Sequence, residues 1–541
     1  MNKLRLCLLC LLAMGLQAQA QTSREELLSH MELAAGNYAN YPVPTGHLTP
    51  APEGYEPFYI SHYGRHGARY MTSDKHYKRT REALDSARAL GILTDYGKDV
   101  RKRIKVAAAD AKDRAGELTT LGARQHKAIA RRMYDNYPTL MSQPLSVFAN
   151  ASNSRRVMLS MANFCLELKS LNPSMEFTFD ASEHDLYYIK SNKSIVVPDN
   201  DTDDGLYSKL KKFRQRMMAW TPGMKAMFTD PELAKTFIDP YTFADDLYNI
   251  AADMYCVPEL GVHFDDVFGE EGMISGFRSY NAAWCLWEGL MPGAKASNIR
   301  LYPLLQNFLD EADEVIASGG CGLRLRFGHD SVVLPMAFNF GFPEAVNATD
   351  DMENLHKTFS ILRLIPMAAN IQLVFFRKAG SDDILVKFLM NENETSIPLR
   401  TDCYPYYHWS DVERYYRDMI ESAHLTYQTP DEDDDEEAFD RAAAPPLRRS
   451  GRPDLQEGDL QGYQPRREQL FPLSRPRAEG ADTRSGGVRA LLYQPLRAPR
   501  LPVHGRKRPL CPGHRQAGHR RAVGNPYAQG RRGTGETPEG L

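Results

Sequence analysis

"YISHYGRHGARY" (Tyr59–Tyr70) joins an apolar run to a polar turn in which Arg65 and Arg69 bracket His66. The residues just before it, "PFYISH" (Pro57–His62), read as a β-strand, so the Arg-His-Gly triplet stands at a strand's carboxyl end. In open α/β sheets that is where ligands bind. Alone, the triplet is a weak signal and needs partners elsewhere in the chain.

Two other segments supply partners. "GLRLRF" (Gly322–Phe327) reads as a strand and runs into "GHDS", which carries His329 and Asp330. "LSVFAN" (Leu145–Asn150) is a third strand, followed by the helix "RRVMLSMANFCLEL", which opens with Arg155 and Arg156. These segments bring guanidiniums, two imidazoles and a carboxyl to strand ends. Converging arginines repel one another unless an anion sits among them, and guanidinium forks match phosphate oxygens. A helix N-terminus after such a turn adds backbone N–H donors for the same anion. A neutral histidine is a competent nucleophile, and flanking arginines keep it neutral by lowering its pKa. A carboxylic acid on the far side can protonate a departing oxygen. Phosphomonoester hydrolysis through a phosphohistidine uses every one of these parts. His62 is as well suited to supporting the turn as to joining a site, and Arg155 reads as a surface or supporting partner of Arg156. His184, His263 and His408 have no identifiable partner and read as structural.

The rest of the chain fits an α/β fold: a central, mostly parallel sheet flanked by helices, with an inserted α-helical cap. Helical spacing is clear in "HYKRTREALDSARALG" (76–91), in "LTTLGARQHKAIARRMYDNYP" (118–138) and in "LLQNFLDEADEVIAS" (304–318). "IQLVFFRK" and "DILVKFLMN" straddle "AGSD" as a β-hairpin. The middle of the chain is helical, with "LYSKLKKFRQRMMAW" and "TFADDLYNIAADMYC" as its clearest segments. The expected division is a signal peptide at 1–20, an α/β core at 21–165 and 300–428, the helical cap at 166–299, and an acidic linker with a disordered tail at 429–541.

"MNKLRLCLLCLLAMGLQAQAQ" has Lys3 and Arg5, an apolar run from Leu6 to Leu16, and "AQA" at 18–20. That is a secretory leader cut after Ala20, so the expectation is an exported protein, periplasmic or secreted, with lipid anchoring left open. No later stretch is long and apolar enough to span a membrane. Among the eight cysteines, Cys7 and Cys10 leave with the leader. The body keeps Cys165, Cys256, Cys285, Cys321 and Cys403, an odd number that leaves a thiol unpaired there. The 541 residues carry a net charge of -3, which argues against a wholesale nucleic-acid binder. That average hides a split, because 441–541 holds 19 Arg, one Lys and eight acidic residues, or 20 − 8 = +12, leaving −15 for the rest. Such an Arg/Pro/Gly-rich segment cannot bury enough surface to fold, and it carries no functional expectation. A basic tail for an anionic surface, plain disorder and an out-of-frame extension all remain open for it. The acidic run "TPDEDDDEE" (429–437) reads as a solvated linker.

Taken together, "RHGAR" and "GHD" make the chain resemble the histidine acid phosphatase branch of the histidine phosphatase superfamily. "RRVMLSMANF" fits the family pattern at Arg156, with Ser160 and Phe164 four and eight residues later. "GELTTLGARQHKAIARRMYDNYP" is similar to the family's helix entry. The resemblance covers about 51–419. "PMAANIQLVFFR" and "CYPYYHWSDV" bring it nearest to multiple inositol polyphosphate phosphatases and phytases. It implies His66 as nucleophile and Asp330 as proton donor. Arg65, Arg69, Arg156 and His329 would hold the phosphoryl oxygens. It implies no cofactor and no metal, and the chain has no HExxH or Cys/His ligand spacing of its own. It implies an acidic pH optimum and small phosphomonoesters as substrates, inositol phosphates foremost. A general acid phosphatase and a catalytically silent phosphate-ligand binder are the alternatives. A phosphomutase is disfavoured by export. Two positions depart from the family pattern: Met71 stands where proline is frequent, and His329–Asp330 stands where many inositol polyphosphate phosphatases have His-Ala-Glu.

Overall fold

In a computed structural model, the described residues are 22–44, 46–200 and 203–428. The leader at 1–20 and everything from 429 onward lie outside them. Helices of ten residues or more are numbered here in chain order.

The predicted strand at Pro57–His62 is the middle of a longer one, β1 (Tyr55–Arg65), which ends on the first arginine of the motif. Helices α1 (Lys75–Ala89), α2 (Asp95–Asp110) and α3 (Thr120–Asn136) follow. Then come β2 (Ser146–Ala151), α4 (Arg155–Leu171) and β3 (Glu176–Asp180). The middle of the chain supplies α5 (Asp203–Met217), α6 (Pro240–Met254) and α7 (Asp265–Trp287). After α8 (Tyr302–Ala317) the chain returns to the sheet with β4 (Gly322–Gly328) and α9 (Asp330–Asn339). It closes with β5 (Asn370–Lys378), β6 (Ile384–Met390), β7 (Asn393–Glu394), β8 (Tyr406–His408) and α10 (Trp409–Ser422).

The strand order is β3-β2-β4-β1-β5-β6-β7, with β8 also on β6. β3, β2, β4 and β1 run parallel, and β5 and β6 add the expected hairpin antiparallel to β1. Within the 166–299 segment, β3 belongs to the sheet rather than to a helical insert, since it pairs with β2 from Ser146–Glu176 to Asn150–Asp180.

β1 is buried on both faces from Phe58 onward, as a strand covered by helices on each side must be. The period-2 alternation sorts its residues between two cores. Tyr59 and Tyr63 join a layer with Phe308, Val333 and the helices of the middle segment. Ile60 joins Phe164, Leu325, Phe327 and the buried face of α3 and α4. Register then places the functional ends. Arg65 lies opposite Gly328, and Ala151 lies opposite Phe327, so three parallel strands end side by side. Cys165, Cys256, Cys285 and Cys403 are free thiols.

Candidate functional site

Because β1 and β4 end in register, His66 and His329 meet as neighbours, their ring centroids 5.8 Å apart in an edge-on arrangement. The turn that carries His66 is fixed through its backbone. The His66 N–H donates to the Gly328 carbonyl (3.0 Å), and the His66 carbonyl accepts from the Ala368 N–H (3.0 Å). Gly67 N–H donates to Ser160 Oγ (3.1 Å), and Ala68 N–H donates to Gln125 Oε1 (2.8 Å). A Cβ on Gly67 would stand 2.5 Å from the Gly122 carbonyl oxygen in α3, so backbone packs on backbone and only glycine fits. Ser160 and Phe164, the residues at four and eight after Arg156, thereby acquire physical roles. Ser160 holds the loop, and Phe164 packs with Phe327 against His62 beneath it.

His66 Nδ1 lies 2.9 Å from the Gly67 carbonyl. A carbonyl only accepts, so Nδ1 carries the hydrogen and the lone pair is on Nε2. Burial, then Arg65, Arg69, Arg156 and His329, hold the imidazole pKa well below its ordinary value. The nucleophile that the motif implies is therefore neutral, in the right tautomer, even in mild acid.

Arg65 is wholly buried. Its Nη1 donates to the carbonyls of Asn37 and Ile365, each at 2.6 Å, and its Nη2 lies 2.7 Å from Asp330 Oδ2. Arg69 stacks over the Tyr38 ring at 5.0 Å and donates from Nη1 to its neighbour's carbonyl. Arg156 reaches His329 Nδ1 through Nη2 at 3.4 Å. Burial, with Arg69 and Arg65 nearby, pulls the Arg156 guanidinium down to about 10. Buried Nε atoms of Arg65, Arg69 and Arg156 have no partner among the described residues. Three guanidiniums thus converge on a place where positive charge is in excess.

His329 accepts from Arg156 at Nδ1, so its Nε2 is the donor to Ser152 Oγ, 2.9 Å away. Burial and then Arg156 lower its pKa to about 4. Asp330 opens α9 and accepts from the Ser331 N–H (3.0 Å). Although burial opposes ionisation, Arg65, Arg69 and His329 hold its carboxyl below the usual carboxylate range. All six residues expected at the site come together there. Arg155 does not, being exposed and ion-paired to Glu117 at 3.2 Å. His62 lies under the turn, where burial drives its pKa down to about 3.

Several neighbours carry no sequence signal. Ser152 orients His329, and Asn37 Nδ2 approaches Asp330 Oδ2 at 3.4 Å. Asp253, from α6, is fully buried behind Arg69. Its Oδ2 accepts from the Met71 N–H (3.3 Å) and the Tyr77 hydroxyl (3.4 Å), while Oδ1 has no partner among the described residues. Burial pushes this carboxyl up to about 7, with Arg69 opposing. The departure at Met71 has a use here, since proline has no N–H to offer Asp253. Glu288, half-buried just after α7, is pushed up to about 8 by burial and then by the Asp330 charge. Away from the site, His408 has partners the sequence did not reveal, Asp383 at 2.8 Å and Asp402 at 3.1 Å. Asp402, Cys403 and His408 are, among the described residues, the group whose ligand atoms lie close enough for a metal ion.

The family model for the histidine phosphatase superfamily (branch 2) matches residues 64–391, more than half of the chain. A search of curated protein sequences found no match. Among solved structures, the chain is similar to the Bifidobacterium longum multiple inositol polyphosphate phosphatase in its apo form. The identity is 20%, with 74% of this chain and 99% of that chain covered and a TM-score of 0.61. The same protein in complex with inositol hexasulfate matches at 19% identity over 70% of this chain and 96% of that one, TM-score 0.58. The phytase from D. castellii matches at 16% identity, covering 72% and 85% of the two chains, TM-score 0.55.

Proposed function

Because the chain belongs to the histidine phosphatase superfamily, branch 2, we propose that it is an acid phosphatase acting on phosphomonoesters, inositol polyphosphates foremost, through a phosphohistidine at His66. The observation that carries this reading is a neutral imidazole whose Nε2 holds the lone pair, set among three guanidiniums of which, among the described residues, only Arg65 has a carboxylate ion pair, to Asp330.

In the first step Nε2 of His66 attacks phosphorus in line, the N–P bond forms and the bond to the ester oxygen breaks. Arg69 and Arg156 hold the phosphoryl oxygens and stabilise the charge on them as it redistributes. Arg65 contributes field more than contacts, because Nη1 is committed to two carbonyls and Nη2 faces Asp330. His329 joins the oxygens by exchanging its Ser152 bond for one to phosphate. Asp330 gives its proton to the departing alkoxide. In the second step water attacks phosphorus and the N–P bond breaks. Asp330 takes the water's proton, and orthophosphate leaves.

The arginines that depress Asp330 in the free enzyme are the ones that a phosphate dianion neutralises. Substrate binding therefore raises the carboxyl pKa and restores the proton it must donate. Both His66 and Asp330 titrate low, so the productive pair, neutral base and protonated acid, is most populated in acid. The inositol polyphosphate preference leans on the likeness to the B. longum and D. castellii enzymes. The Lys3–Ala20 leader pattern makes export part of the same proposal. The test is phosphate release from inositol hexakisphosphate and p-nitrophenyl phosphate across pH, with acid-quench trapping of phosphohistidine. Turnover with no labelled His66, or undiminished turnover by His66→Ala, overturns the mechanism.

A further inference from the structure

The end of the sheet away from the clamp carries a second group of reactive side chains. β8 pairs antiparallel with β6, His408 opposite Leu385, and this register sets the His408 ring beside Asp383, the residue just before β6. Asp383 is fixed in turn by the Tyr55 hydroxyl, which donates to its Oδ2 at 2.7 Å. Tyr55 and Arg65 are the two ends of β1, and its 11 residues span about 30 Å at about 3.3 Å each. The group around Asp383 is therefore separate from the chemistry at His66.

His408 Nδ1–H donates to Asp383 Oδ1 at 2.8 Å, which turns Nε2 toward Asp402 Oδ1, 3.1 Å away. A carboxylate only accepts, so a cation has to join Nε2 and Asp402, either a proton or a metal ion. Cys403 brings a third donor: the ligand atoms of Asp402, Cys403 and His408 lie within 4.8 Å of one another. Ligands on a tetrahedral zinc ion, with bonds of about 2.0–2.3 Å, stand about 3.3–3.8 Å apart, so the three side chains need to close by about an ångström or less. Their loop is braced from within. The Thr401 hydroxyl donates to the Tyr406 carbonyl (2.7 Å), and the Tyr406 N–H donates to the Cys403 carbonyl (2.9 Å). Asp402 is exposed, and Cys403 and His408 are half-buried, so an ion can enter and a water can complete its shell. Of the free thiols among the described residues, Cys165, Cys256 and Cys285 are buried, and Cys403 is the one that reaches solvent. Asp383 stands where the outer carboxylate of a metal-bound histidine stands, taking the hydrogen of the nitrogen that does not bind the ion. A thiolate, an imidazole and a carboxylate together suit zinc, whereas calcium and magnesium take oxygen ligands.

We propose that Cys403 Sγ, His408 Nε2 and an Asp402 carboxylate oxygen bind one zinc ion, with Asp383 orienting the imidazole. The ion would fasten the loop before β8, and with it the start of α10 at Trp409, to the hairpin of β5 and β6. No repeated Cys/His motif announces this set, because a turn and a strand pairing assemble it.

Cobalt(II), a spectroscopic stand-in for zinc, tests the site on the full chain. The wild type is expected to show the strong visible bands of tetrahedral cobalt and an ultraviolet sulfur-to-cobalt charge-transfer band, and added zinc is expected to bleach both. Cys403→Ser should lose the charge-transfer band. Asp383→Asn, which leaves all three ligands in place, should weaken binding about tenfold to a hundredfold. Asp402→Asn, at an exposed position that tolerates substitution, should weaken it as well. A wild type without the charge-transfer band overturns the site, since a proton on Nε2 then accounts for the cluster. A band that persists in Cys403→Ser overturns it too, because it belongs to another thiol, and so does unaltered affinity in both Asp383→Asn and Asp402→Asn. None of these readouts depends on hydrolysis, so a failure of the phosphatase reading leaves the test intact.

Discussion

The floor of the clamp and the wall of the cavity lined by Met71–Asp74 and the helices α1 and α2 are both cationic, but they are built oppositely. In the floor, Arg65 is completely buried, its Nη1 is bonded to two carbonyls, and the turn around His66 is bonded at successive peptide groups. In the wall, Lys78, Arg81 and Lys105 are exposed on α1 and α2 and Lys112 just past α2, and none of the four has an ion pair among the described residues. Preorganised buried dipoles and charges stabilise a transition state because they need no rearrangement when charge shifts. Exposed ammonium groups on flexible stems are strongly hydrated and hold no such fixed geometry. The difference teaches that the sheet's edge holds its charges buried and fixed, while the helices beside it present theirs to solvent.

The most severe test of that division is His66→Ala, which is expected to lower kcat at least about ten-thousandfold on every phosphomonoester alike. A loss confined to one class of phosphomonoester would mean that the fixed charges of the floor do not carry the chemistry. Next is Asp330→Asn. An alkyl phosphate is expected to lose about a hundredfold to a thousandfold, and p-nitrophenyl phosphate, whose leaving group needs little protonation, much less. In the wild type, activity falls as pH rises through the Asp330 pKa of the complex, because the proton donor is lost. In the variant that alkaline limb disappears, and a pH profile of kcat checks it.

The buried imidazoles give a stability test. Burial pushes His62 and His126 down to about 3, while an unfolded histidine takes up its proton near the ordinary value of 6.5. Between those values the unfolded chain binds more protons, so stability falls as the solution is acidified from about pH 6.5 to about pH 3. Each such group contributes at most about 1.4 kcal/mol per pH unit. His62→Phe is expected to remove one share of that slope, read as a flatter dependence of the urea midpoint on pH; an unaltered slope would mean His62 protonates freely. The smallest effect belongs to Asp253→Asn. With the Asp253 carboxyl pushed up to about 7, the wild-type group is neutral in mild acid and charged above neutrality. The variant should match wild type near pH 5. Near pH 8 it should bind orthophosphate about tenfold differently, the lower end of what one charge-assisted contact contributes. A pH-independent difference would mean that Asp253 acts through shape alone.

What was legible in the sequence follows the same line. Arg65, His66, Arg69, Arg156, His329 and Asp330 could be chosen because strand ends and residue types announce them. The order β2-β4-β1, which makes them neighbours, is a property of pairing that no single segment encodes. Helix Asp95–Asp110, absent from the predicted helices, is written in Val100, Ile104 and Ala107 behind the Thr94 cap. Asp265–Trp287 is harder, because it is interrupted at Gly269 and buried on much of its circumference, which blurs the helical period. Asp253 sits in a helix that is recognisable by Phe243, Leu247, Ile250 and Met254. Nothing in that pattern says that its carboxylate lies behind an arginine of the clamp, since the contact arises only when α6 packs on the loop.

The excess of guanidinium over carboxylate in the clamp also sets how the enzyme lives with its own product. A native state with converging buried charges is locally frustrated, and an anion that relieves the conflict stabilises the whole fold by mass action. Orthophosphate is such an anion, and it is what each catalytic cycle leaves behind. Product inhibition and protection against heat are then one property measured in two ways: a phosphate concentration that halves turnover should also be the one at which the melting temperature begins to climb.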